Sequence, residues 1–241
     1  MTGVKINSIE YSFPKKVENL NDLKKNNPKW DVKKIFSATG IKKRYISNNK
    51  ENIISLSIKS AKKLLKKFPK SKVDFLIVIT QTSDYKLPST SCILQSKLNL
   101  RENIKAFDIN MGCSGFIYGL NIASNLIKNK EAKNGLIICT DVYTKFIKTD
   151  NSACRPIFSD ASSSILISAD RKNYIGPFEF GTDGRGALDL SLPENSRNIY
   201  MNGSRVALFS IKRVPDCIKK LLKKMNKNIN SIDKFIFHQA S

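Results

Sequence analysis

The chain has one histidine and one tryptophan. Any imidazole chemistry therefore falls to His238. Arginine is scarce: it supplies eight of the 42 basic residues, and lysine supplies the rest. Specific readers of bases and phosphates lean on arginine, so the net charge of +22 does not by itself indicate a nucleic-acid binder. The five cysteines, Cys92, Cys113, Cys139, Cys154 and Cys217, are odd in number, widely spaced and contain no CxxC. That argues against a disulfide framework or a zinc ribbon. No apolar run approaches the roughly 18–20 residues that a membrane span needs. The opening MTGVKINSIEYSF lacks the basic start and apolar stretch of a signal peptide. A cytoplasmic protein that needs neither membrane nor metal is expected.

What is present is globular. The 241 residues are 41% hydrophobic and 26% charged, enough for a sizeable core and too apolar for wholesale disorder. Lysines crowd KSAKKLLKKF (59–68) and IKKLLKKMNK (218–227), and Ile58, Ala61, Leu65 and Phe68 recur between them at helical spacing. These read as solvated helix faces. The surplus positive surface also suits an anionic partner such as coenzyme A, a phosphopantetheine carrier or an acidic carrier protein.

Along the chain, strands are expected at 4–9, 73–80, 104–110, 135–141 and 163–169, and helices at 52–68, from about 90 to 98, and at 116–129. This alternation indicates an α/β protein with a largely parallel central sheet. After residue 170 the pattern restarts. A strand is expected near 175–181, followed by a Gly-rich turn GTDGRGA (181–187) and a helical region from about 204 to 226. Pro215 either kinks that region or starts a new helix. A last strand is expected at KFIFHQ (234–239).

Cys113 lies in a Gly-Cys-Ser-Gly turn between a buried strand and a helix. Gly112 and Gly115 permit close approach. A helix N-terminus lowers a thiol pKa and raises its thiolate fraction, which is how a nucleophilic cysteine is made. A lone cysteine is more often a small buried apolar residue. That reading is expected for Cys92, Cys139 and Cys217, stays open for Cys154, and competes evenly with the nucleophile at Cys113. His238 follows a strand, as Cys113 does, and sites in open α/β sheets form at the carboxyl ends of strands. A structural hydrogen bond is the competing role.

The segments TGIKKRYI (39–46), TQTSDYKLPSTSCILQSKL (80–98), DINMGCSGFIYGL (108–120), FSDASSSILIS (158–168), GTDGRGA (181–187), MNGSRVALF (201–209) and FIFHQAS (235–241) together resemble the β-ketoacyl-[acyl-carrier-protein] synthase III family of thiolase-like condensing enzymes. The resemblance implies a thiolase-like α/β fold of two related βαβ-type halves, residues 1–170 and an incomplete 171–241. It implies a Cys-His-Asn triad in which Cys113 takes the acyl group from acyl-CoA and His238 hydrogen-bonds the malonyl thioester carbonyl. The backbone N–H of Cys113 would serve an oxyanion hole. Trp30 and Arg155 would contact the coenzyme A nucleotide, and Leu87 the acyl pocket of a neighbouring subunit. Acyl-CoA and acyl carrier protein are the implied partners, a homodimer the implied assembly, and no cofactor is implied.

The sequence departs from the family in places. HQAS stands where HQAN is usual, and SDASSS (159–164) replaces a glycine-rich stretch. The family's asparagine and a Gly-rich oxyanion loop would follow the HQA segment, beyond Ser241. Acyl transfer to another nucleophile and a non-catalytic partner subunit therefore stay open beside the condensing acyltransferase.

Overall fold

The computed structural model describes residues 3–193 and 195–239. The final two residues of the FIFHQAS segment lie outside them. In chain order the elements begin with β1 (Gly3–Ser12), β2 (Lys16–Asn19), α1 (Leu20–Asn26), α2 (Val32–Thr39), β3 (Lys43–Ile46) and α3 (Ile53–Leu65). Next come β4 (Phe75–Ile79), α4 (Thr90–Lys97), β5 (Lys105–Ile109), α5 (Gly115–Lys128), β6 (Asn134–Asp141) and β7 (Ala161–Asp170). The last are β8 (Leu190–Ser191), β9 (Tyr200–Met201) and α6 (Gly203–Met225). The chain groups into two units. One comprises residues up to Val17, Tyr45–Thr144 and Ser159–Ile175; the other comprises Glu18–Arg44, Lys145–Phe158 and everything from Gly176 on.

The first unit is built on a five-stranded sheet of order β1-β7-β6-β4-β5. Strands β6, β4 and β5 are parallel, while β7 runs antiparallel to both β6 and β1. The sheet is therefore mixed rather than largely parallel. The parallel neighbours are joined through α4 and α5, as a crossover demands. Between β6 and β7 the chain makes a 3-10 turn at Tyr143–Phe146 and hydrogen-bonded turns over 152–157, and without a crossover helix β7 returns antiparallel.

Strand alternation divides the core between two faces. Leu76, Val78, Leu136, Ile138 and Leu166 pack with Ala61, Leu64 and Leu65 of α3 and with Leu94 and Leu98 on the α4 side. On the opposite face, Ile79 lies against Gly115 and Gly119 of α5. The lysines of α3 point to solvent, as its periodicity predicts. The amino end of α4 has no capping side chain of its own. Its first amides, Thr90 N and Ser91 N, instead donate to the Asp108 carboxylate on β5 at 2.6 and 2.8 Å.

The serine-rich stretch 159–164 has a packing role. Ser162 and Ser164, both buried on β7, place their hydroxyls 2.9 and 2.7 Å from Ser60 Oγ on α3. Ser60 Oγ also donates to the Ser57 carbonyl at 3.1 Å, so the cluster is satisfied in a dry layer, where an unpaired hydroxyl would be costly.

In the second unit, Asn19 caps α1 reciprocally with Asp22, and Asp31 caps α2 through Lys33 N and Lys34 N. Gly40 ends α2 with φ of 69°, the left-handed region that favours glycine. The Glu18 carboxylate is buried between two guanidiniums, those of Arg44 and of Arg155, the latter at 2.5 Å. Helix α6 runs through Pro215 without interruption, so the proline neither ends it nor starts a second helix. The strands expected near 175–181 and at 234–239 do not form. Both segments are extended, with Phe178 stacked on Phe180 and Phe235 on Phe237 at 6.0 Å, but among the described residues neither has a strand beside it. Without a neighbour to share backbone hydrogen bonds, an extended segment is not part of a sheet. Among the described residues, no helix is long and apolar enough to cross a membrane.

The hydroxyl cluster yields a stability prediction. Ser60→Ala strips Ser162 and Ser164 of this partner and is expected to cost about 1–3 kcal/mol in urea denaturation. Replacing all three serines by alanine should cost far less than the sum of the single changes; strict additivity would show that the three hydroxyls do not act as a unit.

Candidate active site

Three parallel strands set the site. Ile79 of β4 lies in register with Ile109 of β5 and Cys139 of β6. The residues just past their carboxyl ends therefore emerge together. Past β5 comes the turn Met111–Ser114, closed by a hydrogen bond from Gly115 N to Gly112 O at 2.9 Å. Cys113 sits on this turn, exposed, with α5 starting two residues later. Gly115 is required for packing: a Cβ there would lie 2.5 Å from Ile79 Cγ2. At Gly112 a Cβ would run into the side-chain oxygen of Gln81 and lie 3.3 Å from the Tyr143 hydroxyl.

Gln81 follows β4 and Tyr143 follows β6, and the Tyr143 hydroxyl donates to Gln81 Oε1 at 2.8 Å. Beneath them, Asp141 joins the two strand ends. Its Oδ1 accepts from Thr80 Oγ1 at 3.1 Å, Gln81 N at 2.9 Å, Thr82 N at 3.1 Å and Thr82 Oγ1 at 2.8 Å. Thr82 Oγ1 in turn accepts from Val142 N at 2.9 Å.

The electrostatics differ from the simple expectation. Desolvation raises the Cys113 pKa, its own backbone N–H pulls it down, and the negative charge of Asp141 raises it further. The net effect is upward, so the position ahead of α5 does not produce a low-pKa thiol. The surrounding protein takes more water from the sulfur than the backbone returns in hydrogen bonding. Burial, reinforced by Asp141, pushes Cys139 up to about 12, which leaves it an inert thiol near neutrality. Burial also raises Asp141 itself, against the hydrogen bonds that favour its anion.

A sequence profile of the 3-oxoacyl-[acyl-carrier-protein (ACP)] synthase III family matches residues 107–184. The β-ketoacyl-[acyl-carrier-protein] synthase III of Clostridium acetobutylicum is 32% identical over 259 residues, spanning 100% of this chain and 78% of that protein. The chain belongs to the β-ketoacyl-[acyl-carrier-protein] synthase III family. A crystal structure of a 3-oxoacyl-(acyl-carrier-protein) synthase III superposes with a TM-score of 0.94 at 32% identity, over 99% of this chain and 79% of the other. The enzyme from Burkholderia xenovorans LB400 gives 0.91 at 25% identity, over 99% and 74%. The thiolase-like α/β fold and the condensing-acyltransferase class expected from the sequence both stand.

Within this synthase III chain the expected site residues are distributed as follows. Cys113 and Leu87 belong to the first unit; Trp30, Arg155 and His238 belong to the second. Leu87 is 86% exposed, on the loop between β4 and α4. Trp30 is half-buried just ahead of α2, and its carbonyl accepts from Lys24 Nζ at 2.9 Å. Arg155 is engaged with Glu18. His238 is exposed on the extended segment after α6. Two cysteines depart from the expected burial. Cys92 is exposed because the inward positions of α4 are Thr90, Ser91 and Leu94, and Cys217 is exposed on α6, which has no buried residue. Cys139 is half-buried, and Cys154 is the buried one. Gln81, Asp141 and Tyr143 were not singled out in the sequence. Their signal was positional: each follows or ends β4 or β6, the strands that run parallel to β5 in the same sheet. Among the described residues, no group of three or more His, Cys, Asp or Glu is placed to hold a metal.

Asp141→Asn removes a negative charge that opposes the Cys113 thiolate. The pH profile of Cys113 alkylation by iodoacetamide, followed by peptide mass spectrometry, is therefore expected to move to lower pH. An unchanged profile, or a move upward, would contradict the assigned coupling.

Proposed function

We propose that this chain condenses an acyl-CoA-derived acyl group with a malonyl thioester on acyl carrier protein, giving a β-ketoacyl thioester in fatty-acid or related acyl-chain synthesis. Cys113 attacks the acyl-CoA thioester carbonyl. The carbon–sulfur bond to coenzyme A breaks, and coenzyme A leaves as the thiol, the proton coming from Cys113. Malonyl thioester then loses CO₂, and His238 donates a hydrogen bond to the enolate oxygen that forms. The enolate carbon attacks the acyl-Cys113 carbonyl, a carbon–carbon bond forms, and the Cys113 thiolate departs and regains a proton. The backbone N–H of Cys113 lies in the oxyanion hole of the acyl step.

The observation that carries this reading is an exposed cysteine on a glycine turn, at the carboxyl end of a parallel strand and the head of α5, in a chain of this family. Its raised pKa fits a thiol that surrenders its proton during acylation rather than one standing ionised. Trp30 and Arg155 contact the coenzyme A nucleotide, and Leu87 reaches the acyl pocket of a second copy. Residues 1–170 form the half that carries the nucleophile, and 171–241 belong to the half that carries the histidine. The protein works in the cytoplasm as a homodimer, with acyl-CoA and acyl carrier protein as partners, without cofactor, nucleic acid or membrane.

Intact-mass measurement after incubation with acyl-CoA tests the assignment. Cys113→Ala is expected to abolish the acyl adduct and Cys139→Ala to retain it; equal labelling of the two variants would sink Cys113 as nucleophile. His238→Ala should slow malonyl decarboxylation by roughly 10²–10³-fold while sparing acylation, and an equal loss in both steps would contradict its role.

A further inference from the structure

Apart from the Cys113 site, the first unit has an open cavity of about 500 Å³ lined by Lys16, Ile46, Ser47, Asn48, Asn49 and Lys50. That volume lies within the roughly 300–1,000 Å³ of small-molecule sites. Its walls are the start of β2 and the segment that joins β3 to α3. Buried carboxylates hold both walls. Glu51 Oε1 accepts from Lys15 N at 3.2 Å, and Glu51 Oε2 accepts from Asn48 N at 3.4 Å. Asp160 Oδ2 accepts from Ser47 N at 2.8 Å, and Lys50 N donates to Asn48 Oδ1 at 2.8 Å. The backbone is therefore fixed on both sides of the cavity.

The lining is one-sided in charge. Neither carboxylate is part of it. Glu51 and Asp160 are buried, Glu51 is also engaged by Lys59 Nζ at 3.4 Å, and Asp160 by Thr144 N at 2.9 Å. Lys16 and Lys50 are exposed, and among the described residues neither ammonium has an ion-pair partner. Ser47 keeps a buried Oγ with no hydrogen-bond partner, which is costly while nothing answers it. Two cations, a spare hydroxyl and two side-chain amides suit an oxyanion with several acceptors. A carboxylate offers one charge on two oxygens, whereas a phosphate monoester offers three acceptor oxygens and close to two negative charges near neutrality. We infer that this cavity binds a phosphate group. Lys16 and Lys50 supply the charge, Ser47 and the asparagines supply hydrogen bonds, and Ile46 gives an apolar wall to any organic part that carries the phosphate. None of these residues belongs to the Cys113 turn or to the strand ends facing it, so the inference stands independently of the acyl-transfer reading.

The test is an amide NMR titration of the whole ¹⁵N-labelled protein with inorganic phosphate, at an ionic strength held constant with sodium chloride. Saturable shifts are expected at the amides of residues 47–50. Lys16→Gln and Lys50→Gln should each weaken binding about tenfold, and Ser47→Ala roughly threefold. The same spectra report the fold of each variant at amides away from the cavity. The control is the double change Lys62→Gln and Lys66→Gln, at two exposed lysines near the end of α3, which should leave binding unchanged. Absence of saturable shifts at 47–50 overturns the inference. So does a loss in the control equal to that in the cavity variants, because binding would then follow overall charge rather than this site. A second arm repeats the titration with glycerol 3-phosphate and phenyl phosphate. Tighter binding of either ester than of inorganic phosphate identifies an organic phosphate as the ligand; binding no tighter than that of inorganic phosphate identifies the free anion.

Discussion

The Asp141 carboxylate is the interaction on which the site geometry depends. Parallel strands share a sheet but fix nothing beyond their last ladder bond, and the loops that follow are free to splay. Here one oxygen at the end of β6 gathers two backbone amides and two hydroxyls, among them groups from the segment leaving β4. Four donors on one acceptor hold Gln81 and Thr82 in place, and through Thr82 they hold Val142 as well. The residues facing the Cys113 turn thus sit on a rigid rim. The cost is electrostatic: a half-buried negative charge close to the Cys113 thiol, where it disfavours the thiolate. The structure gives positional order priority over a low thiol pKa.

A second buried charge cluster follows the same economy with the opposite sign. Glu18 lies between Arg44 and Arg155, and Arg44 also donates to the Phe158 carbonyl at 2.7 Å. One carboxylate shared by two guanidiniums leaves a net positive charge in a buried place. Such clusters are poor sources of stability, but removing one partner is expensive because the others stay buried and uncompensated. The lysines that dominate the charge count are arranged differently. On α3 and α6 they stand in solvent, where they shape the surface potential and contribute little to the fold.

The sheet and its flanking helices were legible because their signals are local. The continuous apolar run at 75–79 and the helical spacing at 58–68 leave few alternatives, and β4, α3, α4, β5, α5, β6 and β7 all lie where the residues place them. Strand direction was not legible at β7, since it depends on whether a crossover helix intervenes and not on the strand's own residues. The segments 175–181 and 234–239 read as strands from apolar alternation, but pairing is a property of the neighbour. The helices α1 and α2 were hidden in a lysine- and asparagine-rich stretch with weak periodicity. Their caps, Asn19 with Asp22 and Asp31 ahead of two lysines, were the available signal. At the site, Cys113 announced itself through its glycines. Gln81, Asp141 and Tyr143 did not, because ordinary polar residues acquire meaning only when strand register brings them to one edge. The lowered thiol pKa expected from the helix failed because desolvation is a three-dimensional quantity.

The three serines between α3 and β7 carry an implication for how this sequence changes over time. Ser60 sits at the centre of a layer closed to water: its hydroxyl meets those of Ser162 and Ser164 and also the Ser57 carbonyl at 3.1 Å. The order of replacement therefore matters. Loss of Ser162 or Ser164 leaves Ser60 with its other partners, whereas loss of Ser60 first takes the shared partner from two buried hydroxyls at once.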